Sequence, residues 1–265
     1  MSLSRRQVSL AAVAAVPLAL AVTGTAQAAQ RHRTLYIAGD STAAQKYAPA
    51  APETGWGMAI PFFLRKDLLV SHHAVNGRSS KSFVDEGRLD AILQAIRPGD
   101  FLLIQFAHND QKVADPARYT EPWTTYQDYL RLYIDGARAR GARPVLATAV
   151  ERRRFDAGGN AVPTHGDYPA AMRALAEEER VALLDLQALS LALWQRLGVE
   201  VTKKYFNWTA TEQDNTHFNP PGAIAVARLV ARELLRTRVL GPRDVRRLDE
   251  EIPESWITWP AAPAA

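Results

Sequence analysis

The sequence predicts an α/β fold, a parallel sheet covered by helices on both faces, and three observations point there. Apolar, β-rich runs alternate with amphipathic stretches along most of the chain. The runs are nearly continuous in hydrophobicity, as strands buried on both faces are. Polar turns follow the first three runs, and open parallel sheets collect their sites at the carboxyl ends of strands.

The strands are expected at Leu35–Ala38, Leu68–Val75, Phe101–Phe106, Pro144–Val150 and Val181–Leu186. Helices are expected between them at Gly57–Lys66, Gly87–Ile96, Trp123–Arg140, Tyr168–Arg180 and Leu189–Leu197. A last helix starts near Pro220: Asn219 is a cap, Pro220 or Pro221 suits the first turn, and Ala223, Ala227, Val230 and Leu234 form a stripe that docks on the sheet. Residues 151–166 read as an Arg- and Gly-rich excursion, and 198–216 as a long polar loop. Residues 241–265 read as a Pro- and Trp-containing tail, laid over the surface or partly mobile. With no internal repeat or linker, residues 29–240 form one domain.

The first 28 residues have the layout of a signal peptide. Ser4-Arg5-Arg6-Gln7-Val8 is a twin-arginine pattern, an apolar run from Leu10 to Val22 follows, and Ala26-Gln27-Ala28 offers a cleavage site. A general secretory signal carrying two arginines is the alternative. Either route places the mature protein outside the cell or in the periplasm, with no stable membrane insertion after cleavage, because the run is too short to span a bilayer comfortably. Cleavage after Ala28 leaves 237 of 265 residues and lowers the formal charge from +4 to +2, since Arg5 and Arg6 are removed and no acid is. That mild bias is no nucleic-acid signature. The chain has no cysteine, which excludes disulfides and thiolate catalysis.

Gly39-Asp40-Ser41-Thr42 stands where the first strand hands over to small residues able to open a helix. The hydroxyl of Ser41 is either an ordinary helix cap or a nucleophile. A nucleophilic serine needs a base, and the base needs an orienting group. Asp214-Asn215-Thr216-His217, just ahead of the last helix, places a carboxylate three residues before an imidazole. An oxyanion needs donors: Asn76-Gly77-Arg78-Ser79 offers the Gly77 backbone, and His108-Asn109-Asp110 the Asn109 amide. Each motif also has a plain structural reading. The ordered set on one sheet edge is harder to dismiss.

The set, together with Gly55-Trp56-Gly57, resembles the SGNH, or GDSL-like, hydrolase superfamily and within it the rhamnogalacturonan acetylesterase family. The resemblance covers roughly residues 34–236. It implies a three-layer α/β/α sandwich on a flavodoxin-like five-stranded parallel sheet. It implies Ser41 as nucleophile, His217 as base, Asp214 as its orienting group, and an oxyanion hole made by Ser41 N–H, Gly77 N–H and the Asn109 side chain. It implies no metal and no cofactor, and acetylated pectic rhamnogalacturonan as substrate. Ala107 stands where the family commonly has glycine.

Arginine suits the carboxylates of galacturonate, so Arg78, Arg152 and Arg154 are candidate substrate residues. Trp56, Tyr119 and Trp123 are candidates for stacking on sugars, with a core or rim place as the plainer reading, and His165 is a candidate for lining the cleft, with a polar loop histidine as the plainer reading. Other acetylated glycans such as xylan, and lipid or aryl esters, remain as alternative substrates. A non-catalytic glycan-binding protein is the alternative of another class. Gly55-Trp56-Gly57 lacks the third glycine of a dinucleotide fingerprint, and no Gly-x-Ser-x-Gly elbow surrounds Ser41.

Overall fold

In a computed structural model, which describes residues 32–263, the apolar run around Leu35 is β1 (Arg33–Gly39), flanked on both sides by parallel partners. The sheet has the order β2-β1-β3-β4-β5, with β2 at Leu68–His72, β3 at Phe101–Gln105, β4 at Arg143–Ala147 and β5 at Ala182–Leu184. All neighbours are parallel. This is the flavodoxin-like order, whose topological switch point lies between β1 and β3.

Successive side chains of a strand face opposite sides, and two apolar clusters divide accordingly. Leu35, Ile37, Leu103 and Val145 pack with α1 (Trp56–Phe63), α6 (Leu186–Thr202) and α7 (Pro220–Arg236). Tyr36, Ala38, Leu102, Ile104 and Leu146 pack with α2 (Ser80–Asp85), α3 (Arg88–Ala95), α4 (Gln127–Ala139) and α5 (Tyr168–Glu178). The result is a three-layer α/β/α sandwich. No helix among the described residues is long and apolar enough to cross a membrane.

Several elements differ from the sequence reading. The strands expected to reach Val75, Val150 and Leu186 end at His72, Ala147 and Leu184, where the chain leaves the sheet for the loops at its carboxyl edge. Helix α2 was not expected; it forms because Ser79 caps it reciprocally, its side chain accepting from Ser82 N while Ser82 Oγ accepts from Ser79 N. The stretch 198–216, expected as a polar loop, continues α6 across a kink at Gly198 (φ +73°) and then forms a hairpin of β6 (Phe206–Trp208) and β7 (Gln213–Phe218). Helix α4 is preceded by a π-helical turn at Pro122–Tyr126.

The last residues lie along the body: Leu64 and Val245 form a β-bridge, Ile252 and Ile257 are buried, and Trp259 Nε1 donates to Glu53 O at 2.8 Å. The twin-arginine and cleavage motifs lie outside the described residues.

Candidate active site

The chain after β1 makes only one helical turn, with Ala43 N and Ala44 N both donating to Asp40 O. The buried carboxylate of Asp40 does the capping: its Oδ1 accepts from Thr42 N at 2.9 Å and Thr42 Oγ1 at 2.7 Å. Burial raises the Asp40 pKa, and the Thr42 hydrogen bonds only partly oppose this. Ser41 is therefore free of the capping duty. Its Oγ donates to His217 Nε2 at 2.9 Å, across 176 residues of sequence.

Helix α1 closes against this turn. Trp56 N donates to Thr42 O and Gly57 N to Ala43 O. A Cβ at Gly55 would lie 2.0 Å from Ala44 O, and one at Gly57 2.4 Å from Ala43 O. The Gly-Trp-Gly motif is thus a close backbone approach that positions Ser41.

His217 and Asp214 share β7. Asp214 Oδ1 accepts the backbone N–H groups of Thr216 and His217, at 2.6 and 3.0 Å, and its Oδ2 accepts from His217 Nδ1 at 2.6 Å. The three-residue spacing works because one carboxylate shapes the turn and orients the ring. Burial pulls the His217 pKa down, but the Asp214 hydrogen bond and charge, aided by Glu53, outweigh it and leave the pKa above its ordinary 6.5. Burial pushes Asp214 up, and the His217 and backbone hydrogen bonds bring it net below its ordinary value. With Nδ1–H given to the carboxylate, Nε2 is free to take the Ser41 proton.

These residues open onto a cleft of about 400 Å³, also lined by Glu53, Asn76, Gly77, His108, Asn109, Lys112, Arg152 and Thr216. Gly77 adopts φ +77°, the left-handed region that glycine occupies without strain. The N–H groups of Ser41 and Gly77 donate to no other atom among the described residues. Asn109 Nδ2 donates to Arg78 O at 3.0 Å; an amide nitrogen carries two hydrogens, so one is anchored and the other remains available. Behind it, Asp110 Oδ1 accepts from Ser80 N at 3.0 Å, from Ser80 Oγ and from Thr120 Oγ1 at 3.1 Å, tying the Asn109 loop to α2 and so to the Gly77 turn. Ala107, two residues before Asn109, has φ +148°, a value that favours glycine. The methyl group is carried as local strain beside the site.

The substrate candidates divide. Arg152 lines the cleft. Its guanidinium is braced by Gln111, whose amide oxygen, turned toward it, accepts from both Nη atoms at 2.7 Å. That orientation lets the Gln111 amide nitrogen donate to His165 Nδ1, 3.4 Å away, while His165 Nε2–H donates to Val150 O at 2.9 Å. His165 is therefore not a loop histidine open to substrate. It is 1% exposed and edge-on to His108, and burial pushes its pKa below the ordinary 6.5.

Trp56 is not a sugar platform either. It is fully buried, with Nε1 donating to Gln105 Oε1 at 2.8 Å. Arg154 is exposed outside the cleft lining. Arg78 spends its guanidinium on Glu86 and Asn76 O, and serves the site through its carbonyl. Trp123 is exposed and Tyr119 half-buried, but neither lines the cleft.

Two roles escaped the sequence reading, those of Arg153, which stands in the Arg152-Arg153-Arg154 run, and of Lys46. Arg153 donates to Asn215 Oδ1 at 3.0 Å and Val199 O at 2.6 Å, with its Cζ 4.6 Å from the Trp208 ring centroid. It thereby holds the hairpin that carries Asp214 and His217. Lys46, 2% exposed, pairs with Glu53 Oε1 and donates to Asn76 Oδ1, both at 2.6 Å. It links the Gly77 turn to the opposite wall. A buried lysine is the only signal, and burial is invisible in the sequence. Among the described residues, no three His, Cys, Asp or Glu side chains are grouped to hold a metal ion.

A profile of the GDSL-like lipase/acylhydrolase family matches residues 37–223. The chain is 45% identical over 206 residues to the rhamnogalacturonan acetylesterase RhgT of Bacillus subtilis, covering 74% of this chain and 87% of that one. It is 25% identical to the rhamnogalacturonan acetylesterase of Emericella nidulans over 84% and 88% of the two chains. Among solved structures, Bacillus subtilis YxiM superposes with a TM-score of 0.71 at 33% identity, over 79% of this chain and 58% of that one. The acetylxylan esterase Axe2 of Geobacillus stearothermophilus shares the fold, with a TM-score of 0.55 at 16% identity over 79% and 95%. The chain belongs to the GDSL-like lipase/acylhydrolase family, in its rhamnogalacturonan acetylesterase branch, and is a carboxylic ester hydrolase.

Proposed function

We propose that this protein is an exported serine esterase that removes O-acetyl groups from pectic rhamnogalacturonan through an acetyl-enzyme. The observation that carries the chemistry is the unbroken hydrogen-bonded series Ser41 Oγ, His217 Nε2, His217 Nδ1, Asp214 Oδ2, set beside three uncommitted donors in one cleft.

His217 takes the Ser41 proton as Oγ attacks the acetyl carbonyl. Ser41 N–H, Gly77 N–H and the second Asn109 amide hydrogen receive the oxyanion. Collapse expels the sugar hydroxyl, which leaves with the proton held on Nε2. Water then attacks the acetyl-Ser41 carbonyl and gives its proton to His217. The second collapse releases acetate and returns the proton to Ser41.

The substrate reading rests on the names of the relatives and on the charge of the cleft. Arg152 and Lys112 line it, and a braced guanidinium suits the carboxylate of a galacturonate unit. The twin-arginine segment supports export, and replacing Arg5 and Arg6 by lysine is expected to retain the protein inside the cell. The function is tested by acetate release from acetylated rhamnogalacturonan and acetylated xylan, with Ser41→Ala as control. Release from the pectic polymer by the wild type alone is expected. Release only from xylan, or only from aryl acetates, would discard the substrate and keep the esterase. Full release by the Ser41→Ala protein would discard Ser41 as nucleophile.

A further inference from the structure

Next to the catalytic cleft lies a second groove, of about 650 Å³, walled by the two segments that flank the proposed machinery. Gln45, Lys46 and Tyr47 follow the Ser41 turn, and His73 and Asn76 precede Gly77. Arg88, from the start of α3, also lines it. Asn76 belongs to both the groove and the cleft. Lys46, in the groove wall, reaches both Asn76 and Glu53 of the cleft, so the shared rim is rigid.

The groove walls carry the chemistry that sugars need: flat rings for their C–H faces and planar polar groups for their hydroxyl edges. The His73 ring is fixed, stacked on Tyr36 at 5.6 Å with Nε2 hydrogen-bonded to Ser71 Oγ at 2.9 Å. Tyr47 is half-buried and presents a phenol ring. Arg88 places Nε on Glu86, and its two terminal nitrogens have no partner among the described residues. A guanidinium so placed suits a carboxylate.

We propose that this groove is a subsite for the glycosyl units next to the acetylated one, including a uronate unit whose carboxylate meets Arg88. The inference rests on the reading of the substrate as an acetylated pectic polymer. It follows from continuity: a cleft of 400 Å³ holds the reacting unit, a polymer continues beyond it, and the groove begins at the same Asn76. Small acetate esters do not reach it. The groove thus separates polymer recognition from ester cleavage within one molecule.

The test compares wild type with Tyr47→Ala and Arg88→Gln on acetylated rhamnogalacturonan and on 4-nitrophenyl acetate. For each variant, KM on the polymer is expected to rise about tenfold, equivalent to roughly 1.4 kcal/mol, with kcat within about twofold. Cleavage of 4-nitrophenyl acetate is expected to be unchanged, which also shows that the variant is folded. Arg88→Gln alters a half-buried rim residue and carries the test if Tyr47→Ala does not fold. An unchanged polymer KM in a wild-type-active background overturns the groove alone. An equal fall on both substrates also overturns it. Wild-type inactivity on the pectic polymer overturns the substrate reading, and the groove assignment with it.

Discussion

Arg153 Nη1 donates to Asn215 Oδ1 at 3.0 Å while Arg153 N donates to Asn215 O at 2.8 Å, so the loop after β4 grips β7 between the two residues proposed to act, Asp214 and His217. Among the described residues β7 pairs only with β6, so the hairpin stands apart from the main sheet. Replacing Arg153 by Met keeps the stem and the backbone bond to Asn215 O and removes the guanidinium half of the grip. The expected outcome is a fall in kcat of about tenfold to a hundredfold, the usual result of misplacing a catalytic group by an ångström. KM for 4-nitrophenyl acetate is expected to hold within about twofold, because Arg153 does not line the cleft. A rise in KM with kcat unchanged would assign Arg153 to substrate instead.

Replacing Asn109 separates the proposed transition-state stabilisation from folding. One hydrogen of Nδ2 is anchored on Arg78 O, which leaves the other as the proposed oxyanion donor. Asn109→Ala is expected to lower kcat by about 10² to 10³ with little change in KM. Ser41→Ala is expected to lower it by at least about 10³. Steady-state kinetics on an aryl acetate, with thermal melting as the fold control, check both. A kcat for Asn109→Ala within a few-fold of wild type would remove Asn109 from the oxyanion hole.

The parallel sheet and the order of its polar turns were legible because doubly buried strands carry continuous apolar runs, and because the first three turns each end in Gly, Ser or Asn chemistry. The hairpin was not legible. Gln213-Asp214-Asn215-Thr216-His217-Phe218 has one apolar residue, and its strand conformation comes from pairing with β6 and from Arg153. Trp56 takes the core place that was the alternative to sugar stacking, and His165 is buried rather than open to the cleft; in both cases a buried hydrogen-bond partner, Gln105 Oε1 for the indole and Val150 O for the imidazole, decides. Of the three consecutive arginines, Arg152 enters the cleft, Arg153 grips the hairpin and Arg154 is exposed. Local sequence cannot sort them.

The pH profile follows from the charges around His217. The proposed base works when neutral, so activity rises as pH rises through its pKa. Burial alone would place that limb below the ordinary histidine value of 6.5; the Asp214 hydrogen bond and charge and the Glu53 charge place it above, against the opposing Lys46. The acidic limb of kcat/KM is therefore expected above pH 6.5. Glu53→Gln removes one of the charges that favour the imidazolium, and its limb is expected at lower pH than wild type. A limb that stays put would show that Glu53 is screened from His217.

Asp110 predicts a pH-dependent stability. Its carboxylate is fully buried, Oδ1 carries the bonds to Ser80 and Thr120, and Oδ2 has no partner among the described residues. Burial pushes the pKa from 3.8 to about 7, with the Ser80 and Thr120 hydrogen bonds opposing. Between those two values the folded protein binds a proton that the unfolded chain has lost, so stability falls as pH rises through this window and levels off above about 7. Asp110→Asn is close in shape to the protonated acid: it keeps an oxygen for Ser80 and Thr120 and has no proton to lose. The variant is expected to match wild type at pH 5 within about 1 kcal/mol, and to gain on it by roughly 1–3 kcal/mol at pH 8. That corresponds to several degrees in Tm for a chain of this size. Thermal melts of both proteins from pH 5 to pH 9 check it. A difference in Tm that is constant across the range would mean that Asp110 is already ionised in the fold at pH 5.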